Sequence, residues 1–315
     1  RQIGHYHNAR FREVAAHFDQ FTVLSCAGEG FFSEFAAQSF DGYEVETIAA
    51  GRQAYAAEVA SGDLSKKVAA ALDRHAPDAV AVSGWASAES FAALSWARTN
   101  HVPTAEMSES QADDVARSWA REAVKAHIVR QFDAAFAGGY SAREYLVDLG
   151  MDEARITLGY NAVDNDHFSR EAATARAHSQ SFRAAQNLPN SYFLASGRFI
   201  EKKNFPLLVR AYAHARAAVG TDLPDLVILG DGEELASIEA QIVLADLDRH
   251  VHLPGYKDYD DLPGIYALSH GFIHVAKREQ WGLVINEAMA SGVPVIVSNR
   301  CGATRTLMDG TRGGY

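Results

Sequence analysis

Short, nearly unbroken apolar runs alternate along this chain with longer stretches whose apolar residues return every three or four positions. In the first half the runs are FTVLSC (21–26), YEVETIA (43–49), DAVAVSG (78–84), VPTAEM (102–107), DAAFAGG (133–139) and RITLGY (155–160). Between them lie Ala-rich helical segments such as SKKVAAALDRHA and AESFAALSWART, an alternation that predicts β-α units around a parallel sheet. In SAREYLVDLG, Ser141 and Glu144 predict a capping box and Gly150 the helix stop. Residues 165–190 hold no strand run and end on a proline-asparagine breaker, which predicts a linker. The rhythm then restarts at SYFLASGRF. In NFPLLVRAYAHARAAVG, Leu207, Leu208, Ala211, Tyr212 and Ala215 predict one buried helical stripe, with Gly220 just past its end. DLVILGDGEE reads as a buried strand running into a glycine turn, and VHLPGY, GFIHVA and VPVIVS as further strands. No motif recurs at a period of roughly 20–50 residues, which excludes solenoids and propellers.

A chain of 315 residues, 48% hydrophobic and 22% charged, is long enough for two cores. The expected organisation is therefore α/β: an N-terminal doubly wound domain over 1–164, the linker, and a second doubly wound domain over 191–315. Such halves bind ligands in the crevice at the carboxyl ends of their strands. A formal net charge of -11 argues against a nucleic-acid binder, because phosphate repels a surface of that sign. No run reaches the roughly 18 apolar residues of a membrane span, and no signal peptide is visible. Cys26 and Cys301 lie far apart and form no zinc pattern, so both read as reduced and the compartment as cytoplasmic. The chain opens on Arg1 and stops at DGTRGGY in mid-pattern, so both ends read as incomplete.

The stretch EQWGLVINEAMASGVPVIVS (279–298) carries Glu279 and Glu287 around an otherwise apolar run. Gly282 disfavours one continuous helix, so Glu279 is expected in a loop, a helix from about Leu283 to Ser291, and Gly292 as its left-handed stop before Pro294. The free amides around Trp281 to Val284 would then offer an anion site flanked by two carboxylates. That combination suits a ligand bearing both phosphate and hydroxyls; the spacing equally allows a solvated Glu279 and an exposed Glu287. In SGRFIEKKNF, Arg198 follows a strand directly, while Lys202 and Lys203 precede a helix that Asn204 is expected to cap. Such cations could meet phosphate oxygens, or form a solvated cluster.

Together these stretches resemble family 4 of the retaining nucleotide-sugar glycosyltransferases, whose GT-B fold pairs two Rossmann-like parallel-sheet domains across a cleft. Glu279 and Glu287 match that family's Glu-x7-Glu element; Gly197, Arg198 and Lys203 match its donor motif. Leu226 to Gly232 match its glycine turn, and NAVD (161–164) its hinge pattern. The four motifs fall in the family's order over residues 133–310. The resemblance implies that Arg198 and Lys203 hold the donor diphosphate and act with Glu279 as the catalytic set. It implies that Glu287 takes the ribose hydroxyls and Glu279 those of the transferred sugar. Trp281, Gly282, Leu283, Val284 and Gly230 would approach the donor. It also implies no metal and no cofactor beyond the nucleotide-sugar itself, in keeping with the lack of a credible paired-aspartate loop. Relative to the family, Gln280 and Trp281 replace smaller residues and phenylalanine, Ala276 a serine, and Arg305 and Thr306 stand near a common acidic position. The family's opening strand and closing helices are not visible.

Upstream, His5, His7, Arg10 and Arg12 precede any strand and could face acceptor or donor, or simply begin a polar helix. Glu106 and Ser108 are expected at a strand end facing the cleft. HVH (250–252) reads as strand decoration rather than metal ligands, and Trp96, Trp119 and Tyr140 as core. The acceptor could be a glycan, a lipid-linked saccharide or a small molecule, with peripheral contact at the inner face of the membrane. A sugar-nucleotide epimerase and a non-catalytic nucleotide-sugar binding protein are the alternatives. The sequence leaves the oligomeric state open.

Overall fold

The computed structural model describes residues 3–27, 40–114 and 117–308. The closing DGTRGGY stretch lies outside them. Two compact units divide the chain, Arg1–Val163 and Asp164–Tyr315, the boundary falling inside NAVD.

In the first unit the order is α1 (His5–Ala15), β1 (Thr22–Ser25), β2 (Glu44–Thr47), α2 (Arg52–Ser61), α3 (Asp63–His75), β3 (Val80–Ser83) and α4 (Ala88–Asn100). Then follow β4 (Thr104–Ser108), α5 (Trp119–Val129), β5 (Ala134–Ala137), α6 (Tyr140–Asp148) and β6 (Ile156–Leu158). β1 and β2 form a parallel pair; β3-β4-β5-β6 form a parallel sheet in that order. Leu64, Val68 and Leu72 of α3 pack with Val82, Ala135 and Leu146 in one core, which gives the Ala-rich helices an apolar face to bury. α6 starts two residues earlier than the capping-box reading requires: Gly139 is the N-cap, and Ser141 lies inside the helix.

The second unit contains α7 (Asn165–Ala177), α8 (Ser179–Gln186), β7 (Tyr192–Ser196), α9 (Phe205–Val219), β8 (Asp225–Leu229) and α10 (Leu235–Leu244). It continues through β9 (Val251–Gly255), α11 (Leu262–Ala267), β10 (Phe272–His274), α12 (Leu283–Ala290), β11 (Val295–Val297) and α13 (Gly302–Leu307). Its five strands are parallel in the order β11-β10-β7-β8-β9. The order reverses at β7, so the chain leaves the neighbouring ends of β7 and β10 in opposite directions. A doubly wound sheet opens its ligand crevice at that switch point.

Residues 165–190 are not an open linker. Asp164 accepts from the amide of His167 and caps α7, whose Phe168, Ala172 and Ala175 are buried. The absence of a strand run there reflects a helical pair, not a break in the fold. The α9 stripe is also rotated from the expected one: Phe205, Leu208, Val209 and Tyr212 are buried while Leu207 is 41% exposed. Among the described residues no helix is long and apolar enough to cross a membrane.

Candidate functional site

At the switch point β7 is followed directly by Gly197 and Arg198. Gly230, after β8, has a φ of +133°, and a Cβ there would fall 2.0 Å from the carbonyl oxygen of Gly197. Only glycine permits this approach of two turns. Backbone bonds then lock the strand ends: Gly197 N to Leu229 O at 3.1 Å, Gly230 N to Gly255 O at 3.0 Å, and Phe199 N to Asp231 O at 2.8 Å. Phe199 is buried edge-on against Phe205, while Arg198, just before it in the chain, is exposed. The sequence-predicted cation is thereby presented to solvent on a rigid turn.

Lys203 runs back across Gly197 and pairs with Glu279. This ion pair spans the switch point, joining the loop after β7 to the loop after β10. The Lys277 amide, donating to Lys202 O at 2.8 Å, ties the same loops. Glu279 is pinned by its own backbone, donating to Arg300 O at 3.1 Å and accepting from Gly302 N at 3.0 Å. Burial would raise its pKa, but His274, Lys203 and Lys202 outweigh burial and hold it at about 2. Lys202 Nζ and His274 Nε2 each stand 3.7 Å from the carboxylate. Burial lowers the pKa of His274, Glu279 opposes, and the two lysines reinforce the lowering. Burial pushes the Cys301 thiol up to about 12, with Glu279 adding to the rise. Asn204 holds the N-cap position of α9 but caps with its backbone only: it is left-handed, with φ 62°, and its side-chain amide donates instead to Val275 O at 3.4 Å.

α12 begins at Leu283 behind Gly282, whose φ is +97°. A Cβ on Gly282 would meet Ile285 at 3.1 Å and Glu279 at 3.3 Å, so the glycine lets the carboxylate stem lie against the helix start. Trp281 is buried, its indole donating to Asn286 Oδ1 at 2.8 Å, and Leu283 and Val284 are half-buried. At the far end Gly292 is left-handed, with Gly292 N on Met289 O and Val293 N on Ala288 O, both at 3.0 Å. That is the expected stop in Schellman form. Arg176 of α7 adds a bond to Ser291 O at 2.5 Å.

Glu287 differs from the exposed alternative that its spacing allowed. It is 1% exposed and accepts a 2.6 Å hydrogen bond from the Tyr266 hydroxyl of α11. Tyr266, His274 and Arg176 are the residues that sequence reasoning missed. A histidine inside the apolar GFIHVA run was the visible signal for one of them; the other two touch their partners only through tertiary packing.

The first-unit candidates split into two groups. Arg10 of α1 donates to Tyr160 O at 2.6 Å and lies over the Tyr160 ring at 4.5 Å, anchoring the helix to the segment after β6. Burial and then the Arg10 charge lower the pKa of His7 to about 4. His5 opens the same helix, and Arg12 stands near its end. Ser108 is the last residue of β4, as expected, and Glu106 lies two residues inside it; both are buried, Glu106 in register with the core residues Val82 and Ala135. Burial lifts the Glu106 pKa to about 8. Among the described residues neither carboxyl oxygen has a hydrogen-bond partner, although the Ser108 hydroxyl is near enough to offset a little of that rise.

Elsewhere, His250 Nδ1 and His252 Nε2 meet the two oxygens of Asp225 at 3.1 and 3.0 Å. Trp119, read as core, is 87% exposed, and Tyr140 is 38% exposed. Trp96 bonds Asp73 at 2.6 Å.

The family model of the glycosyl transferases group 1 matches residues 178–314, a span that carries the whole switch-point cluster. That span lies wholly within the second unit. Mannosylfructose-phosphate synthase of Agrobacterium fabrum is 26% identical to the chain over 172 residues, covering 52% of it and 37% of that enzyme. The chain spans about a fifth to a half of the length of the curated relatives it matches. The Anabaena protein HepE in complex with UDP-glucose superposes with a TM-score of 0.68 at 17% identity, covering 99% of this chain and 81% of that one. Sucrose-phosphate synthase from Thermosynechococcus elongatus gives 0.69 at 18% identity, over 94% and 75%. The shared fold is GT-B, with two Rossmann-like parallel-sheet units.

Proposed function

We propose that the protein is a retaining glycosyltransferase that moves a sugar from a nucleotide-diphosphate sugar to an acceptor hydroxyl, without a metal or other cofactor. The observation that carries this reading is the Lys203–Glu279 pair across the β7/β10 switch point, beside the N-terminus of α12 and within the matched family span. Arg198 and Lys203 provide cations for a diphosphate, and the first amides of α12 add the partial positive charge of a helix end. These groups would oppose the charge that grows on the leaving diphosphate, stabilising the transition state more than the ground state. Glu279 would accept from sugar hydroxyls and Glu287 from the ribose. The UDP-glucose complex of HepE, a protein of the same fold, supports a donor of this class.

A screen of nucleotide-sugars by thermal shift tests donor binding, since a ligand of the native state raises Tm. Arg198→Ala and Lys203→Ala should lower turnover by one to two orders of magnitude, about 1.4–2.7 kcal/mol, while Glu287→Ala chiefly weakens donor binding. Release of nucleotide should require an acceptor, which separates transfer from epimerisation. Unchanged kinetics in all three variants would remove the reading.

A further inference from the structure

Building on the donor reading above, we propose that His274 is a reserve counter-ion for Glu279: it takes up a proton when a nucleotide-sugar diphosphate draws Lys203 off that carboxylate. One carboxylate here serves three basic groups. Lys203 is in contact, whereas Lys202 Nζ and His274 Nε2 each wait at 3.7 Å. His274 is 2% exposed, and its Nε2, 3.7 Å from Glu279, has no hydrogen-bond partner among the described residues. A buried imidazole nitrogen without a partner is uncommon enough to need a reason.

The three groups differ in freedom. Glu279 is held by backbone bonds on both sides and cannot follow a departing cation. Lys203 has a flexible four-carbon stem, and Lys202 is 43% exposed; both can turn to a phosphate. His274 is held in the sheet beside Phe272, its backbone oxygen accepting from Ser298 N at 2.9 Å. Once the lysines engage a diphosphate, the buried Glu279 anion would be left without its contact cation, a costly state. His274 then needs only a side-chain adjustment, from 3.7 Å to the ~2.9 Å of a hydrogen bond. The proton comes from solvent, binds the imidazole and is shared with Glu279 Oε2. Sugar hydroxyls remain free to donate to the other carboxylate oxygen.

The groups around His274 all favour this direction. Lys203 and Lys202, from the segment after β7, disfavour its charged form, and both are weakened as opponents when they engage phosphate. Glu279, from the segment before α12, favours the charged form in either state. Cys301, beside Glu279 at the start of α13, stays a neutral thiol through the physiological range. Lys277, just past β10, is paired with Glu201 at 2.8 Å on the exposed side.

Two measurements decide it. In the ligand-free protein, an NMR titration of His274 should show its pKa about one unit or more higher in Lys203→Met than in the wild type; an unchanged value overturns the coupling. Calorimetry of nucleotide-sugars (UDP-glucose, then GDP-mannose) near pH 7, in buffers of different ionisation enthalpy, should show uptake of a substantial fraction of one proton. These diphosphate diesters carry no group that titrates near neutrality, so the proton must go to the protein. Uptake should vanish in His274→Gln while binding persists. Binding with no uptake by the wild type, or unchanged uptake in His274→Gln, overturns the proposal. Failure of every nucleotide-sugar to bind would overturn the donor reading instead, and the Lys203→Met titration would still support or overturn the coupling unaided.

Discussion

Glu279 and Glu106 are both buried carboxyls on parallel-sheet units, and they sit in opposite charge states. Glu279, with two lysines and a histidine around it, is held near pKa 2; Glu106, among Val82 and Ala135 with one hydroxyl nearby, is lifted to about 8. Burial is the first influence on each and pushes both upward. The partners therefore decide, and they differ by unit. The switch-point site is built from fixed charges on a rigid backbone, whereas the described polar groups of the first unit include a carboxyl and an imidazole, His7, held neutral at pH 7.

The sharpest way to break the contrast is to attack the backbone on which the charged site stands. A Cβ on Gly230 meets backbone, not a movable side chain, and the φ of +133° is itself unfavourable to other residues. Gly230→Ala should cost on the order of 4 kcal/mol or prevent folding, as read by urea denaturation. A loss under about 1 kcal/mol would show that the turn is soft and that the site does not depend on it.

Removing the cation comes next. Lys203→Met leaves Glu279 buried without its contact partner and should cost about 3 kcal/mol, the low end for a broken buried pair because Lys202 and His274 remain nearby. Adding Glu279→Gln should return most of that stability. If the double variant is no better than the single one, the loss is packing rather than charge. The paired carboxylate also sets an acid limit. Its folded pKa lies below the unfolded one, so its contribution is present above about pH 4.5 and is lost as pH falls toward 2.

Glu106 should show the reverse dependence. Its folded pKa is raised, so the wild type loses stability as pH rises from about 4.5 to about 8 and levels off above that. The slope is at most about 1.4 kcal/mol per pH unit. Glu106→Gln cannot ionise, so its stability relative to wild type should climb across that window. A difference that stays flat with pH would mean that Glu106 is already ionised, and the contrast with Glu279 would fall.

The strands were legible because buried parallel strands are continuous apolar runs, and each of FTVLSC, DLVILG and VPVIVS is one. Gly282 and Gly292 marked the bounds of α12 for the same local reason: each takes a backbone conformation that other residues avoid. What stayed hidden was decided by tertiary contact. No periodicity reveals that Tyr266 covers Glu287, that Arg176 reaches the end of α12 across 115 positions, or that α7 and α8 fill the space read as a linker. Trp119 failed in the opposite direction, since an aromatic side chain is a weak guide to burial at the first position of a helix.

The smallest expected effect tests whether the first unit tolerates what the second does not. Gly138, between β5 and α6, has a conformation open to other residues, and a Cβ there would fall 2.5 Å from Asn161 Nδ2 and 3.5 Å from Ser108 O. The close neighbour is the tip of a side chain, which can rotate away, so Gly138→Ala should cost about 0.5–1.5 kcal/mol. That is several-fold less than Gly230→Ala, whose obstacle is a carbonyl of the main chain. Donor binding, assigned to the second unit, should be unchanged. Pairing Gly138→Ala with Asn161→Ala removes the obstacle and tells the two sources of loss apart. Recovery in the pair locates the cost in the rotated amide; a loss in Gly138→Ala as large as that of Gly230→Ala would mean that this strand end is as rigid as the charged one, and that the two units differ in charge alone.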